Sequence, residues 1–274
     1  MPMNTNFTHR HLRLKEHTMK HLLLTLALAS SLLASPPTIS AQTPVSKKKG
    51  VGLAERHGLG AAQLNALEVA WFYNWHSETT VKTGAKFVPM IFSEKKIGSH
   101  VAGDTVLGYN EPDNEKQSNM PVTDALAHWA AIAGKARRVG SPAMAGNPLK
   151  SEWLQAFMKG HPKVDFITVH WYKGADSKHF IRDMEEIHAK FNKPVWITEF
   201  APQTAGSSEK EPQKFTGGQV TQFINETIRW MESTPWVEAY AWHDSKIGTS
   251  ALFDASGELT ATGKAYAAAK HTSK

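Results

Sequence analysis

Short apolar runs alternate with longer amphipathic segments along most of the chain. Eight runs read as strands: Gly50–Ala54, Val69–Asn74, Lys86–Phe92, Thr105–Asn110, Arg138–Ala145, Val164–His170, Pro194–Phe200 and Val237–His243. They are nearly continuous in Val, Ile, Leu, Ala and aromatic residues, the pattern of strands covered on both faces. Three intervening segments have a helical period. Residues 122–138 place Leu126, Trp129, Ala130 and Ala133 at helical spacing, with Thr123 or Asp124 available near the start. Residues 176–191 repeat Phe180, Met184, Ile187 and Phe191, and residues 217–233 repeat Val220, Phe223, Thr227 and Trp230. The first two crossovers are short, so helices there are expected to be stunted. Eight such alternations predict an α/β fold, a single (β/α)8 TIM barrel. A doubly wound open sheet shares the alternation, but no Gly-rich phosphate loop supports it.

The first fifty residues change what counts as the folded chain. From Met19 a basic start leads into an apolar run, Leu22 to Leu33, and then into small residues. That is the layout of a secretory signal, with a cut expected after Ala41. The run is too short for a comfortable membrane span. Met1–Thr18 is polar and His-rich and precedes a better start at Met19, so it reads as an over-called leader. Residues 42–49, with Lys47, Lys48 and Lys49, read as a basic flexible linker, and 50–274 as the barrel domain. The chain carries 31 Lys and Arg against 25 Asp and Glu, a formal charge of +6. Removing 1–41 leaves a net charge of about +3, weak support for a nucleic-acid or anionic-membrane partner. No basic stripe interleaved with aromatics appears in the body of the chain. There is no cysteine, so an exported protein must be held by its core, and about 225 residues suffice for one.

Catalytic groups of such a barrel sit at the C-terminal ends of its strands. The fourth strand ends in "YNEPD" and the seventh in "ITEF", placing Glu111 and Glu199 at one mouth although 88 residues separate them. Two carboxylates across a cleft are the minimum equipment for breaking a glycosidic bond: one protonates the leaving oxygen, and the other attacks or stabilises the oxocarbenium-like carbon. Pro112 disfavours the helical region for Glu111, so the chain is expected to stay extended up to it. Trp171, Tyr172 and Trp242, with Trp71, Tyr73 or Trp75, offer faces for sugar rings. Each motif alone has a plainer reading. Asn-Glu-Pro is often only a strand exit, His170 a satisfied buried histidine, and His243–Asp244 a surface pair. Most of the nine Trp are expected in the core, with Trp129, Trp153 and Trp230 on helix faces. The coincidence of both glutamates with strand ends favours catalysis.

Together, "LGYNEPD", "HWY" and "WITEF", with "WFYNW" and "KFVPMIF" upstream, resemble glycoside hydrolase family 128 from about Gly50 to Ala267. That resemblance implies a β-1,3-glucanase of the retaining clan A, with Glu111 as acid/base and Glu199 as nucleophile. It implies that Asn110 holds the hydroxyl next to the reacting carbon, and that His170, Trp171, Tyr172, Trp242 and Tyr73 bind substrate. The implied partner is a β-glucan polysaccharide or oligosaccharide. Apart from the resemblance, the leader directs the chain to the periplasm or outside the cell, the carboxylate pair needs no metal or cofactor, and a monomer is expected. The first strand departs from the family: "GLAERHG" stands where members often carry an aromatic. The rivals are a clan A glycosidase for another β-glycan, a non-catalytic glucan-binding barrel, and a metal hydrolase built on His170, His243 and Asp244. Two retained glutamates argue against the second rival, and the absence of HExxH-like spacing argues against the third.

The leader generates the first prediction. Mass analysis of the periplasmic or secreted fraction is expected to show a chain beginning at Gln42. An intact amino terminus on a cytoplasmic protein would refute that reading.

Overall fold

The computed structural model of the protein describes residues 46–269; the expected signal segment and its cut after Ala41 lie outside them. Eight parallel strands form the centre: β1 Lys49–Gly52, β2 Trp71–Tyr73, β3 Lys86–Phe87, β4 Thr105–Val106, β5 Arg138–Val139, β6 Ile167–Trp171, β7 Val195–Phe200 and β8 Val237–His243. Six lie in one sheet in the order β3-β2-β1-β8-β7-β6, while β4 and β5 pair separately. Single parallel bridges span both seams, Met90–Leu107 on one side and Gly140–Phe166 and Met144–Val169 on the other. The chain is a (β/α)8 barrel, as its alternation predicts.

Three strands are much shorter than their apolar runs. Pro89 and Pro142 interrupt β3 and β5, where a missing N–H stops a continuous ladder. Beyond β4, Gly108 is a point of close approach: a Cβ there would meet the Trp129 ring at 2.7 Å and the Gly140 carbonyl at 2.9 Å. The wall persists there as isolated bonds, such as Ile91 N–H to Leu107 at 3.0 Å and Ala143 N–H to Tyr109 at 2.9 Å.

The helices are α1 Ala61–Leu67, α2 Val122–Ala133, α3 Glu152–Lys159, α4 Ser177–Phe191, α5 Ala205–Lys210, α6 Gly217–Ser233 and α7 Ala261–Ala268. The short first two crossovers bear out the expectation: α1 has seven residues, and among the described residues no helix lies between β2 and β3. No helix among the described residues is long and apolar enough to cross a membrane. At the start of α6 the Thr216 hydroxyl accepts from Gln219 N–H, and the Gln219 side chain accepts from Thr216 N–H. For α2, Asp124 sits in the first turn, where its charge suits the helix dipole, but no side chain caps the helix.

Strand alternation divides the aromatic residues between two layers. Inside the barrel, Trp196 stacks on Phe166 at 4.4 Å and packs on Trp71 at 5.3 Å. Arg138 and Glu238 meet nearby at 2.7 Å, and Trp196 donates to Glu238 at 2.9 Å. In the second layer, against α4 and α6, lie two of the residues expected to bind sugar. Trp171 stacks on Phe223 and donates to Asp183 at 3.0 Å. Trp242 packs on Phe200 and Tyr266 and donates to the Ser250 carbonyl at 3.0 Å. Both are buried in the core rather than in a subsite, because neighbouring strand positions point to opposite faces.

The flexible reading of residues 42–49 also needs correction at its end. Lys48 Nζ donates to the carbonyls of Met231, Glu232 and Thr234 at the end of α6. Lys49 begins β1, is buried, and its Nζ reaches the carbonyls of Tyr266, Ala267 and Ala269 at the end of α7. Helix C-termini leave carbonyls without partners and carry partial negative charge, so two adjacent lysines fit two helix ends.

Lys49→Met is therefore expected to destabilise the fold by about 1–3 kcal/mol, because it strips the donor from buried carbonyls. Lys47→Met, at an exposed position, serves as the control and should change stability little. Urea unfolding measures both, and equal midpoints would remove the lysine from this role.

Candidate active site

A cleft of about 560 Å³ opens at the C-terminal ends of the strands. Glu111, Glu199, Tyr172, Asn110, Trp75 and His243 all line it. Glu199 reaches it because β7 is bulged at this point. Pairing with β6 passes from Val169–Ile197 to His170–Glu199, and pairing with β8 from Ile197–Tyr240 to Phe200–Trp242. Such a bulge re-aims a side chain without ending the strand.

Glu199 is 5% exposed and surrounded by donors. Its Oε1 accepts from Tyr73 Oη at 3.0 Å and Trp75 Nε1 at 2.8 Å. Its Oε2 accepts from the Tyr172 hydroxyl and lies 3.5 Å from His170 Nδ1 and 3.4 Å from His243 Nδ1. Burial opposes ionisation here, but the two histidines and the donors from Tyr172 and Trp75 outweigh it and hold the carboxyl at about 2. Burial and the adjacent carboxylate push the Tyr73 and Tyr172 hydroxyls well above the ordinary tyrosine range, so both stay protonated as donors.

Glu111 is held differently. Its Oε1 lies 2.9 Å from His170 Nδ1, and its Oε2 accepts from Asn114 Nδ2 at 2.8 Å. The backbone is not extended there, contrary to the expectation from Pro112: φ is +44°, the left-handed region. Pro112 excludes the right-handed helical region, and the chain turns through the other one. The turn is fixed by Glu111 N–H to Ala143 O at 2.7 Å and Asn114 N–H to Glu111 O at 3.0 Å. Trp75 also has positive φ, at +63°. For residues other than glycine this conformation costs energy and persists only where the surroundings enforce it.

His170 binds the two glutamates together. Burial lowers its affinity for a proton, but Glu199 and Glu111 raise it further, so the net shift is upward. Its side chain is fully enclosed, so it stands behind the carboxylates and does not face sugar as the resemblance implied. Tyr73 has the same fate, buried with its hydroxyl on Glu199 and the Thr198 carbonyl. Asn110 lines the cleft, and its Oδ1 has no partner among the described residues. Tyr172 lines it as well, while Trp171 and Trp242 belong to the core described above.

The sequence reading missed Asn114 and Gln117, which line the cleft, Gln117 accepting from Asn110 Nδ2 at 3.4 Å, and gave His243 no catalytic part beyond the metal alternative. Trp75 was one of several aromatics, and its place two positions after Tyr73 was the available signal. Glu111, His170 and Glu199 each offer one ligand atom within 4.8 Å of the others, the metal-like spacing found among the described residues. The oxygens of Glu199 already receive O–H and N–H donors, which suits a carboxylate kept for chemistry better than one shared with a cation. The alternative metal trio of His170, His243 and Asp244 does not converge among the described residues, and Asp244 instead accepts from the backbone N–H groups of Lys246 and Leu252.

Residues 52–266 match the family described as glycosyl hydrolase catalytic core. Among solved structures, the chain is similar to a family 128 subgroup I endo-β-1,3-glucanase from Amycolatopsis mediterranei in complex with laminaripentaose. The identity is 30% and the TM-score 0.72, covering 82% of this chain and 100% of that one. A curdlan-specific exo-β-1,3-glucanase of subgroup III from Blastomyces gilchristii, in complex with glucose, shares 28% identity and a TM-score of 0.63. It covers 82% of this chain and 99% of its own. An exo-β-1,3-glucanase of subgroup V from Cryptococcus neoformans shares the fold, at 24% identity and a TM-score of 0.67 over 82% of this chain and 100% of that one. No curated protein sequence matches.

The placement of His170 makes pH the informative variable. Glu199 is held at about 2, so its protonation should not limit kcat/KM until strongly acid pH. His170→Gln removes the largest attractive charge, and the acid limb should move up by about 1 unit or more. The sign follows from loss of a cation that favours the ionised carboxylate. An acid limb in the same place would show that His170 does not set this charge.

Proposed function

The chain belongs to the glycosyl hydrolase catalytic core, as a glycoside hydrolase of the β-1,3-glucanase family 128, and from that premise we propose that it is an exported, endo-acting enzyme that cuts β-1,3-glucan with retention. The observation that carries the mechanism is the spacing of the carboxylates. One oxygen of each and a ring nitrogen of His170 lie within 4.8 Å of one another. Retaining enzymes hold their carboxyl groups about 5–5.5 Å apart, whereas inverting ones leave about 6.5–9.5 Å for a water. Taken between nearest oxygens rather than between carboxyl centres, that close approach supports direct attack by a carboxylate.

The environments divide the roles. Glu199 is ionised and immobilised by donors from the ends of two strands, β2 and β6, as a nucleophile requires. Glu111 touches His170 and Asn114 beside the same cleft and serves as the acid. In the first step Glu199 attacks the anomeric carbon while Glu111 gives its proton to the leaving glycosidic oxygen. In the second, Glu111 takes a proton from water, and that water displaces Glu199 from the same carbon. Two inversions restore the original configuration. Asn110, whose Oδ1 is buried without a partner among the described residues, and Tyr172 line the cleft beside the pair, where the sugar being cut would lie. Linkage and endo action follow the 30%-identical relative whose complex holds laminaripentaose. Export rests on the basic, apolar and small-residue order after Met19.

Chemical rescue separates the two glutamates. Glu111→Ala should cut laminarin very slowly, yet still form the glycosyl-enzyme from an aryl β-glucoside with a good leaving group. Azide needs no base and should then restore turnover and give the β-glycosyl azide. With Glu199→Ala any azide product should be the α-anomer, formed by one inversion. An α-azide from Glu111→Ala, or undiminished laminarin cleavage by either variant, would reverse or remove these roles. NMR of the products distinguishes the anomers.

A further inference from the structure

A neutral glucan is held by stacking and by hydroxyl hydrogen bonds, neither of which needs a net charge. One side of the cleft is nonetheless cationic. Arg56, after β1, and Lys246, after β8, both line it and both are exposed. Their loops are neighbours because β1 pairs with β8 up to Gly52 and His243. Arg56 Nε donates to His57 Nε2 at 3.0 Å, and among the described residues neither the rest of its guanidinium nor the Lys246 ammonium has an ion-pair partner.

The nearby acids leave that charge in place. Glu55 Oε1 accepts from Asn74 Nδ2 at 2.7 Å and from the Thr79 hydroxyl. Asp244 is buried and accepts the N–H groups of Lys246 at 3.1 Å and Leu252 at 2.9 Å. Glu209 is the weakest of the influences on Lys246. Partial burial, followed by Arg56, lowers the affinity of Lys246 for its proton, so the two cations act on each other. A second hollow of about 300 Å³ shares Asp244 and Lys246 with the cleft, which leaves room beside the pair for a group projecting from a bound chain.

We propose that Arg56 and Lys246 form a subsite for an oxyanion substituent, a carboxylate or phosphoryl group, carried by the glucan along the β8–β1 side of the mouth. A guanidinium edge presents paired donors to such a group, and an ammonium adds a mobile point charge. The subsite is exposed, so its effect is modest and screened by salt. The inference rests on the glucanase reading above and concerns which glucans that site prefers.

The test compares three polymers at matched length: neutral laminarin, laminarin with some primary hydroxyls oxidised to carboxylates, and laminarin phosphorylated to a similar degree. The full chain should show a charged-to-neutral ratio of kcat/KM of about fivefold at low salt, falling toward one at about 0.5 M salt. The double variant Arg56→Gln, Lys246→Gln should bring the ratio to about one, and Lys246→Glu should lower it relative to wild type. Preference for the carboxylated or the phosphorylated polymer identifies the source of the oxyanion. A wild-type ratio of one or less with both charged polymers overturns the proposal, as does a preference that survives both salt and the double variant. Cleavage of neutral laminarin without any preference sinks only this inference. If no polymer is cut, the glucanase reading fails instead, and calorimetric Kd values for the same polymers decide the subsite: equal affinities overturn it.

Discussion

The site depends on keeping one buried carboxylate ionised. At 5% exposure an isolated Glu199 would take up a proton and lose the charge that the role proposed for it requires. Groups from both sides of the barrel mouth prevent this: Tyr73 and Trp75 donate from the β2 side and Tyr172 from the β6 side, while the rings of His170 and His243 add charge within 3.5 and 3.4 Å. None of these groups is close to Glu199 in sequence except across strand neighbours. The arrangement exists only when β2, β6, β7 and β8 curve around one mouth, so the electrostatics of the site and the curvature of the six-stranded sheet are one constraint.

The alternation that aims these donors inward also builds the support behind them. His170 and Tyr172 turn toward the glutamates, while Trp171 between them packs on Phe223 and Phe180. His243 faces the mouth, while Trp242 packs on Phe200 and Tyr266. Each catalytic strand is thus fixed by an aromatic anchor one residue away, which limits the rotation that would misplace a donor. The Trp171–Asp183 bond ties β6 to α4 as well, and Lys173 meets the same carboxylate at 2.6 Å.

Glu111 shows a different kind of control. Its left-handed backbone is unfavourable for a glutamate, yet it brings the side chain to His170 and its N–H to Ala143 on the neighbouring strand. Strain of about 1–3 kcal/mol is tolerable when a barrel supplies the compensating contacts. Loops after strands accept such distortions because the wall beneath them stays unchanged, and the loop that carries Lys246 at φ +64° is another case.

The eightfold alternation, the barrel and the long helices α4 and α6 were legible in the sequence, because period and apolar content are local properties that burial on both sheet faces imposes directly. Glu111 and Glu199 were legible for the same reason: a polar group at the end of an apolar run can only lie at the rim. Which aromatics serve the site was not legible. Trp171 and Tyr172 are adjacent and equally suited to a sugar, and only the strand's orientation in the closed barrel sends one to the core and the other to Glu199. The ends of β3, β4 and β5, the left-handed turn at Glu111, the bulge at Glu199 and the seats of Lys48 and Lys49 likewise came from tertiary structure. Each is decided by contacts with residues distant in sequence, whose geometry no single stretch of chain contains.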